Sequence, residues 1–235
     1  MFLRDYYHEN GALLISRQQA SDFAKKVAGD FNPIHDEDAK RFCVPGDLLF
    51  SLVLNKYGLS QKMNFNFGGM VGDNTELCFP EFGTEKTLHI NDLAGKQYLS
   101  IEREGAISKD PKLIHDLTCR YVEFSGQTFP HILVPLMAEH NVMLNPDRPM
   151  VIYENMRIDM LSLDILDPQL ELTNSTLSVD GKRGNVSLVF SIKSAGKIVG
   201  TGQKNLILSG LRQFEQENID QLVNNYSDRK LAYGA

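Results

Sequence analysis

VPGDLLFSLVLNKYG, residues 44–58, carries Leu48, Leu49, Phe50, Leu52, Val53, Leu54 and Tyr57 and leaves almost no polar face. Its length and spacing predict a helix that ends at Gly58. A helix that is apolar nearly all round must be wrapped by other structure. The wrapping reads as strands: MNFNF from 63, NTELCFP from 74, KTLHI from 86, QYLSIER from 97 and HDLTCRYVEF from 115. Gly, Asn and Asp separate these runs, as turns require.

The second half repeats the plan without repeating the words. Residues 129–143, FPHILVPLMAEHNVM, form another strongly apolar stretch, in which Pro135 must start a helix or kink it. Strand-like runs follow at MVIYENMRIDML from 150, QLELTNSTLSV from 169, NVSLVFSIK from 185 and KIVGTGQKNLIL from 197. SVDGKRGN and KSAGK between them read as hairpin turns. A buried helix followed by antiparallel strands, twice over, predicts an α+β class and a double hot-dog, two sheets each curled around a central helix. The expected division is a first unit over 1–125, a second over 126–210 and a peripheral helix or tail over 211–235. The polar tail segment around Phe214, Ile219, Leu222 and Val223 fits a surface helix better than a core one.

Composition narrows the function classes. The 235 residues are 42% hydrophobic with a formal charge of −6, enough apolar material for a sizeable core. The basic residues are scattered, so no footprint for nucleic acid is visible. No segment has the roughly 18 uncharged apolar residues of a membrane span, and the N-terminus lacks the apolar centre of a secretory signal. Cys43, Cys78 and Cys119 are odd in number and widely spaced, without a CxxC pair. They read as reduced, mostly buried thiols of a cytoplasmic protein rather than as disulfides or zinc ligands.

The chemistry-bearing stretch lies just upstream of the buried helix. From Ile15 to Gly29 the signals for one helix agree: Ser16 and Gln19 form a capping box, Ala20, Phe23, Ala24 and Val27 share a face, and Gly29 suits a left-handed exit. Asp30 then begins a loop, and Pro33 disfavours helical geometry at Asn32. Gly29 and Asp30 alone are explained by a helix end followed by an Asx turn. Asp36, Glu37 and Asp38 are expected to complement the dipole of a short helical turn near Ala39–Phe42. His35, five residues after Asp30, adds an imidazole to a carboxylate across a loop stiffened by proline.

Residues 15–42, with GDFNPIH at 29–35, resemble the MaoC-like or type 2 (R)-specific enoyl-CoA hydratases, whose pattern is a helix, then G-D-x-N-P-x-H, then a short acidic helix. Gly29, Asp30, Asn32, Pro33 and His35 match in type and spacing. The resemblance implies a hot-dog or double hot-dog fold and hydration of a trans-2-enoyl thioester of coenzyme A or acyl carrier protein, without a cofactor or metal. It implies that Asp30 holds or activates water, His35 shares it and relays the proton, and Asn32 orients the water or fixes the loop. It also implies an oxyanion-binding N–H at the start of the central helix, here Gly46, Asp47 and Leu48. The chain as a whole also resembles an uncharacterised group of bacterial proteins of this length, which implies no activity.

The hydratases carry a His-Gly pair at this helix start, whereas this chain has Pro45-Gly46-Asp47 after a shorter connection. As an N-cap, Asp47 is expected to occupy the free N–H groups and to place negative charge where an oxyanion forms. Two readings therefore stand: a hydratase or dehydratase of enoyl or 3-hydroxyacyl thioesters, and a catalytically degenerate hot-dog protein that binds an acyl thioester or a protein partner. An acyl thioesterase is a third. A double hot-dog is complete as a monomer, and a homodimer is the alternative.

Other residues read as structural. His131 and His140 lack metal spacing on one face and are expected to be satisfied structural histidines. The glycines at 68, 69 and 72 lack the following helix and lysine of a phosphate cradle. No G-x-S-x-G elbow is present, and Cys78 and Cys119 fall in strand-like runs rather than at helix starts.

Overall fold

The computed structural model describes residues 2–81 and 86–234. After two short strands, β1 (His8–Asn10) and β2 (Ala12–Leu14), helix α1 (Arg17–Asp22) opens on the expected capping box. The Ser16 side chain accepts from the Gln19 N–H, and the Gln19 side chain accepts from the Ser16 N–H. The helix widens into a π-helical segment at Phe23–Ala28, and Gly29 ends it in the left-handed region at φ 64°.

Helix α2 (Gly46–Tyr57) is buried along its length, and a ten-stranded antiparallel sheet runs past it. The first half supplies β3 (Leu59–Phe67), β4 (Leu77–Cys78), β5 (Thr87–Asp92) and β6 (Gln97–Ser108). The second half supplies β8 (Val151–Met160), β9 (Gln169–Asp180), β10 (Arg183–Ser194) and β11 (Lys197–Ser209). The sheet order is β1-β2-β4-β5-β6-β3-β8-β11-β10-β9. The halves are therefore joined edge to edge by β3 and β8, antiparallel from Lys62↔Asp159 to Asn66↔Asn155. The predicted turns hold: Gly181 lies at φ 55° between β9 and β10, and Ala195 and Gly196 both have positive φ between β10 and β11. A separate ribbon pairs β7 (Val142–Met143) with β12 (Arg212–Gln213), and the tail forms helix α6 (Gln216–Gly234).

Several expectations need correction. HDLTCRYVEF is not a strand but most of helix α3 (Pro111–Gly126), started by Asp110, whose side chain accepts from the Lys112 N–H, with Pro111 in the first turn. Its buried face, Leu113, Leu117, Tyr121 and Val122, has helical spacing, which outweighs the β-branched and aromatic content that suggested a strand. The apolar stretch 129–143 breaks into α4 (Thr128–His131) and α5 (Leu133–Glu139), so the second half has no long central helix. Instead α3 bridges the halves: Tyr121 packs on Phe50 of α2, and Phe124 packs on Phe190 of β10. Residues 39–42 form turns rather than a helix, so Asp36 complements no dipole and instead pairs with Lys25 at 2.9 Å and with Arg229 of α6. The cysteines are free and half-buried, with Cys119 on a helix, and His131 and His140 are exposed rather than structural.

Where α3 ends, it presses against the start of the GDFNPIH loop. A Cβ on Gly126 would lie 1.8 Å from the Ala28 carbonyl oxygen. Backbone atoms cannot yield as a side-chain tip can, so Gly126→Ala is expected to destabilise by at least about 1–3 kcal/mol. Chemical denaturation of the purified variant checks this; an unchanged midpoint would mean the two segments separate freely.

Candidate functional site

The GDFNPIH loop is built by local hydrogen bonds. One oxygen of Asp30, Oδ1, accepts from the Asn32 N–H at 2.9 Å, the Asx turn of the structural reading. The Asn32 side-chain oxygen in turn accepts from the Ile34 N–H at 3.2 Å and caps a single 3-10 turn, Pro33–His35. Asn32 thus fixes the loop. Tyr226 of α6 closes it from outside: its hydroxyl accepts from the Phe31 N–H at 3.2 Å and lies 3.2 Å from the Gly29 carbonyl and 3.3 Å from the Gly126 carbonyl. Burial pushes the Tyr226 hydroxyl up to about 12, so it stays a donor.

The turn leaves Oδ2 of Asp30 facing the imidazole. His35 Nε2 lies 3.7 Å from it. His35 Nδ1 lies 2.7 Å from the Cys43 carbonyl oxygen, which only accepts, so Nδ1 carries the hydrogen. In the neutral imidazole Nε2 is then a bare acceptor aimed at a carboxylate. The spacing of these two acceptors suits a molecule that donates to both. Burial raises the Asp30 carboxyl above the ordinary carboxylate range, and Asp47 adds to this. His35, the Asn32 N–H and Lys204 pull the other way.

Asp30, Asn32, His35, Gly46 and Asp47 line one cavity of about 600 Å3. Phe67, Leu133, Val151 and Leu206 supply apolar wall, and the cavity therefore draws on both halves of the chain. Leu48 does not line it: the side chain is fully buried in the core, and its N–H donates to the Pro45 carbonyl at 3.0 Å. Gly46 is required where it stands, since a Cβ there would meet the Tyr153 ring at 2.7 Å.

Asp47 departs from its expected place. Pro45 is the N-cap of α2, and no side chain caps this end. Asp47 sits one position inside the helix, with its carboxylate turned into the fold: the Ser125 hydroxyl of α3 donates to Oδ2 at 2.5 Å, and Lys204 Nζ of β11 lies 3.7 Å from Oδ1. Lys204 also donates to the Ser125 oxygen and stands 4.1 Å from the centre of the Tyr153 ring. Lys204 is 4% exposed and Asp47 8%. Burial draws the Lys204 ammonium below the usual lysine range, while Asp47 and Asp30 hold it up. The negative charge at the helix start is thus matched by a buried positive one in the same cavity.

Lys204, Ser125 and Tyr153 were not singled out in the sequence. Lys204 left a trace, because it occupies the inward register of β11 between Gly202 and Leu206. A lysine at an inward, period-2 position of a strand is an anomaly that invites a buried counter-charge. Ser125 left none, since it falls just past a run that reads as a strand.

Among the described residues no group of three or more His, Cys, Asp or Glu side chains has a metal-holding arrangement, and no helix is long and apolar enough to cross a membrane. The model of a family described as "Protein of unknown function (DUF3581)" matches residues 1–217. No curated protein matches the sequence. Among solved structures, a MaoC-like dehydratase is similar at 10% identity and a TM-score of 0.44, over 86% of this chain and 97% of that one. A conserved protein of unknown function with hot dog fold from Alicyclobacillus acidocaldarius is similar at 10% identity and 0.43, over 89% and 98%. An acyl-CoA thioesterase II, TesB2, from Mycobacterium marinum is similar at 11% identity and 0.40, over 73% and 90%.

Proposed function

The chain belongs to the DUF3581 family, and from that premise we propose that it is a cytoplasmic double hot-dog hydratase or dehydratase acting on an enoyl or 3-hydroxyacyl thioester. The observation that carries this reading is the facing of Asp30 Oδ2 and His35 Nε2 at 3.7 Å on the wall of a largely apolar cavity. A water that donates one O–H to each is held with its lone pairs free to attack. As its oxygen bonds to C3 of the enoyl chain, Asp30 takes one of the water's two protons and that same proton is relayed through the imidazole to C2, while the other O–H stays as the C3 hydroxyl. Asp30 ends ionised, His35 ends neutral, and one water has been added across the double bond. The reverse sequence eliminates water from the 3-hydroxyacyl form. Asn32 supports the step by holding the loop, and Cys43 by fixing the imidazole tautomer.

The apolar wall suits an acyl chain, and the pairing of the halves through β3 and β8 lets one chain work as a single copy. The test is hydration of crotonyl and longer enoyl thioesters, presented on coenzyme A and on acyl carrier protein. Undetectable turnover across carriers and chain lengths sinks the enzyme reading and leaves an acyl-thioester binding protein. Release of free thiol without hydration would point to a thioesterase.

The acid limb of kcat/KM is a second check. Asp30 must be ionised to accept a proton, and its carboxyl is raised, so activity should fall with falling pH at a value above the ordinary aspartate range of about 3.9. Asp47→Asn removes a negative neighbour and should move that limb to lower pH. A pH-rate profile that stays put would separate the acid limb from Asp30.

A further inference from the structure

We propose that Lys204 binds the thioester carbonyl oxygen and stabilises the enolate charge that develops on it. This deepens the hydration reading, on which the substrate class rests.

Adding water at C3 moves charge onto the carbonyl oxygen, and a donor must meet it there. The start of α2 is poorly suited to do so alone. Asp47 lies in its first turn and opposes the positive end of the helix dipole, and the Leu48 N–H is already given to Pro45. Lys204 supplies the missing positive charge at the same place, from the other half of the chain. It lines the cavity that holds Asp30 and His35.

Stability gives no reason for this arrangement. A buried ion pair is no better for folding than well-packed apolar groups of similar size, and often worse. The neighbours on the same strand face are Gly202, Leu206 and Leu208, so an apolar residue would suit position 204. Instead the ammonium is held from three sides: by the Ser125 hydroxyl, by Asp47 at 3.7 Å and by the face of Tyr153. Ser125 is itself fixed by its hydrogen bond to Asp47. An ammonium has three N–H donors; Ser125 takes one, the Tyr153 face lies against another, and Asp47 at 3.7 Å is an ion pair beyond hydrogen-bond distance, which leaves one donor for a ligand oxygen. No proton need leave Lys204 in the step: it donates a hydrogen bond that strengthens as the oxygen becomes negative. Ser125 and Asp47 act as positioning residues.

The test compares crotonyl-coenzyme A with S-butyl-coenzyme A, a thioether of equal chain length without the carbonyl oxygen. Both are titrated calorimetrically into the wild-type protein and into Asp47→Asn/Lys204→Met, which removes both charges together and so avoids stranding one. Wild type should bind the thioester about ten- to a hundredfold more tightly, the worth of a charge-assisted hydrogen bond. The double variant should lose that preference and keep its affinity for the thioether. Equal binding of both probes by wild type overturns the proposal, as does an undiminished preference in the double variant, which would assign the carbonyl to backbone N–H groups. An acyl adduct on Ser125, found by mass spectrometry, also overturns it. Failure of the hydration reading is separable: discrimination without turnover keeps Lys204 as the carbonyl-binding group and removes the hydratase, while turnover without discrimination does the reverse. Binding of neither probe overturns both.

Discussion

Asp30→Asn is expected to lower hydration of crotonyl-coenzyme A by about 10²–10⁴-fold, the range for losing a positioned acid-base group, while the protein stays folded. The amide keeps the oxygen that accepts from the Asn32 N–H, so the loop persists. It loses the ability to take a proton. The folded-state value of the Asp30 carboxyl lies above its ordinary one, so the folded state binds more protons than the unfolded one in that window. Ionising Asp30 therefore lowers stability as pH rises, and at neutral pH the amide variant should melt no earlier than wild type. Substrate affinity should change far less than rate. His35→Ala is expected to lose activity to a similar degree. Steady-state kinetics with a melting curve check both, and an Asp30→Asn protein with wild-type kcat would remove Asp30 from the reaction.

Lys204→Met should be the most destabilising single change at this site, by about 3–5 kcal/mol, because it leaves the Asp47 carboxylate buried without its counter-charge. Asp47 would retain the Ser125 hydroxyl but face an apolar side chain on β11. Adding Asp47→Asn should recover most of the loss, since no uncompensated charge then remains. Urea unfolding of the wild type, both singles and the double forms a cycle that isolates the pair. Equal stability of Lys204→Met and the double variant would show that Asp47 finds water or another partner when Lys204 is gone.

Much of the architecture was legible because it rests on local rules. The capping box at Ser16 and Gln19, the left-handed exit at Gly29 and the hairpin turns at Gly181 and Gly196 depend on a few neighbouring residues each. Alternation placed β8 to β11 within a few residues, and continuous apolarity marked α2 as buried. The errors fall where two local signals compete. Residues 115–124 hold both β-branched and aromatic side chains and a helical buried face, and only packing against Phe50 and Phe190 favours the second. Residues 129–143 are apolar enough for a helix, yet Phe129 has non-helical φ and ψ and the stretch breaks.

The sequence by itself determined the α+β class, the buried α2 and the short loop in which Asp30, Asn32 and His35 stand within six residues of one another. Such a loop brings its own groups together, because the chain between them is too short to do otherwise. Only the tertiary structure decided what Asp47 means. As a first-turn residue in a sequence it reads as a negative charge spoiling a helix start. In the fold it meets Ser125, 78 positions away, and Lys204, 79 positions beyond Ser125. Coulomb interactions and desolvation depend on distance in space rather than along the chain. The partners of the Asp47 carboxylate were therefore fixed only when β11 was laid beside β8 and α3 was packed across both halves.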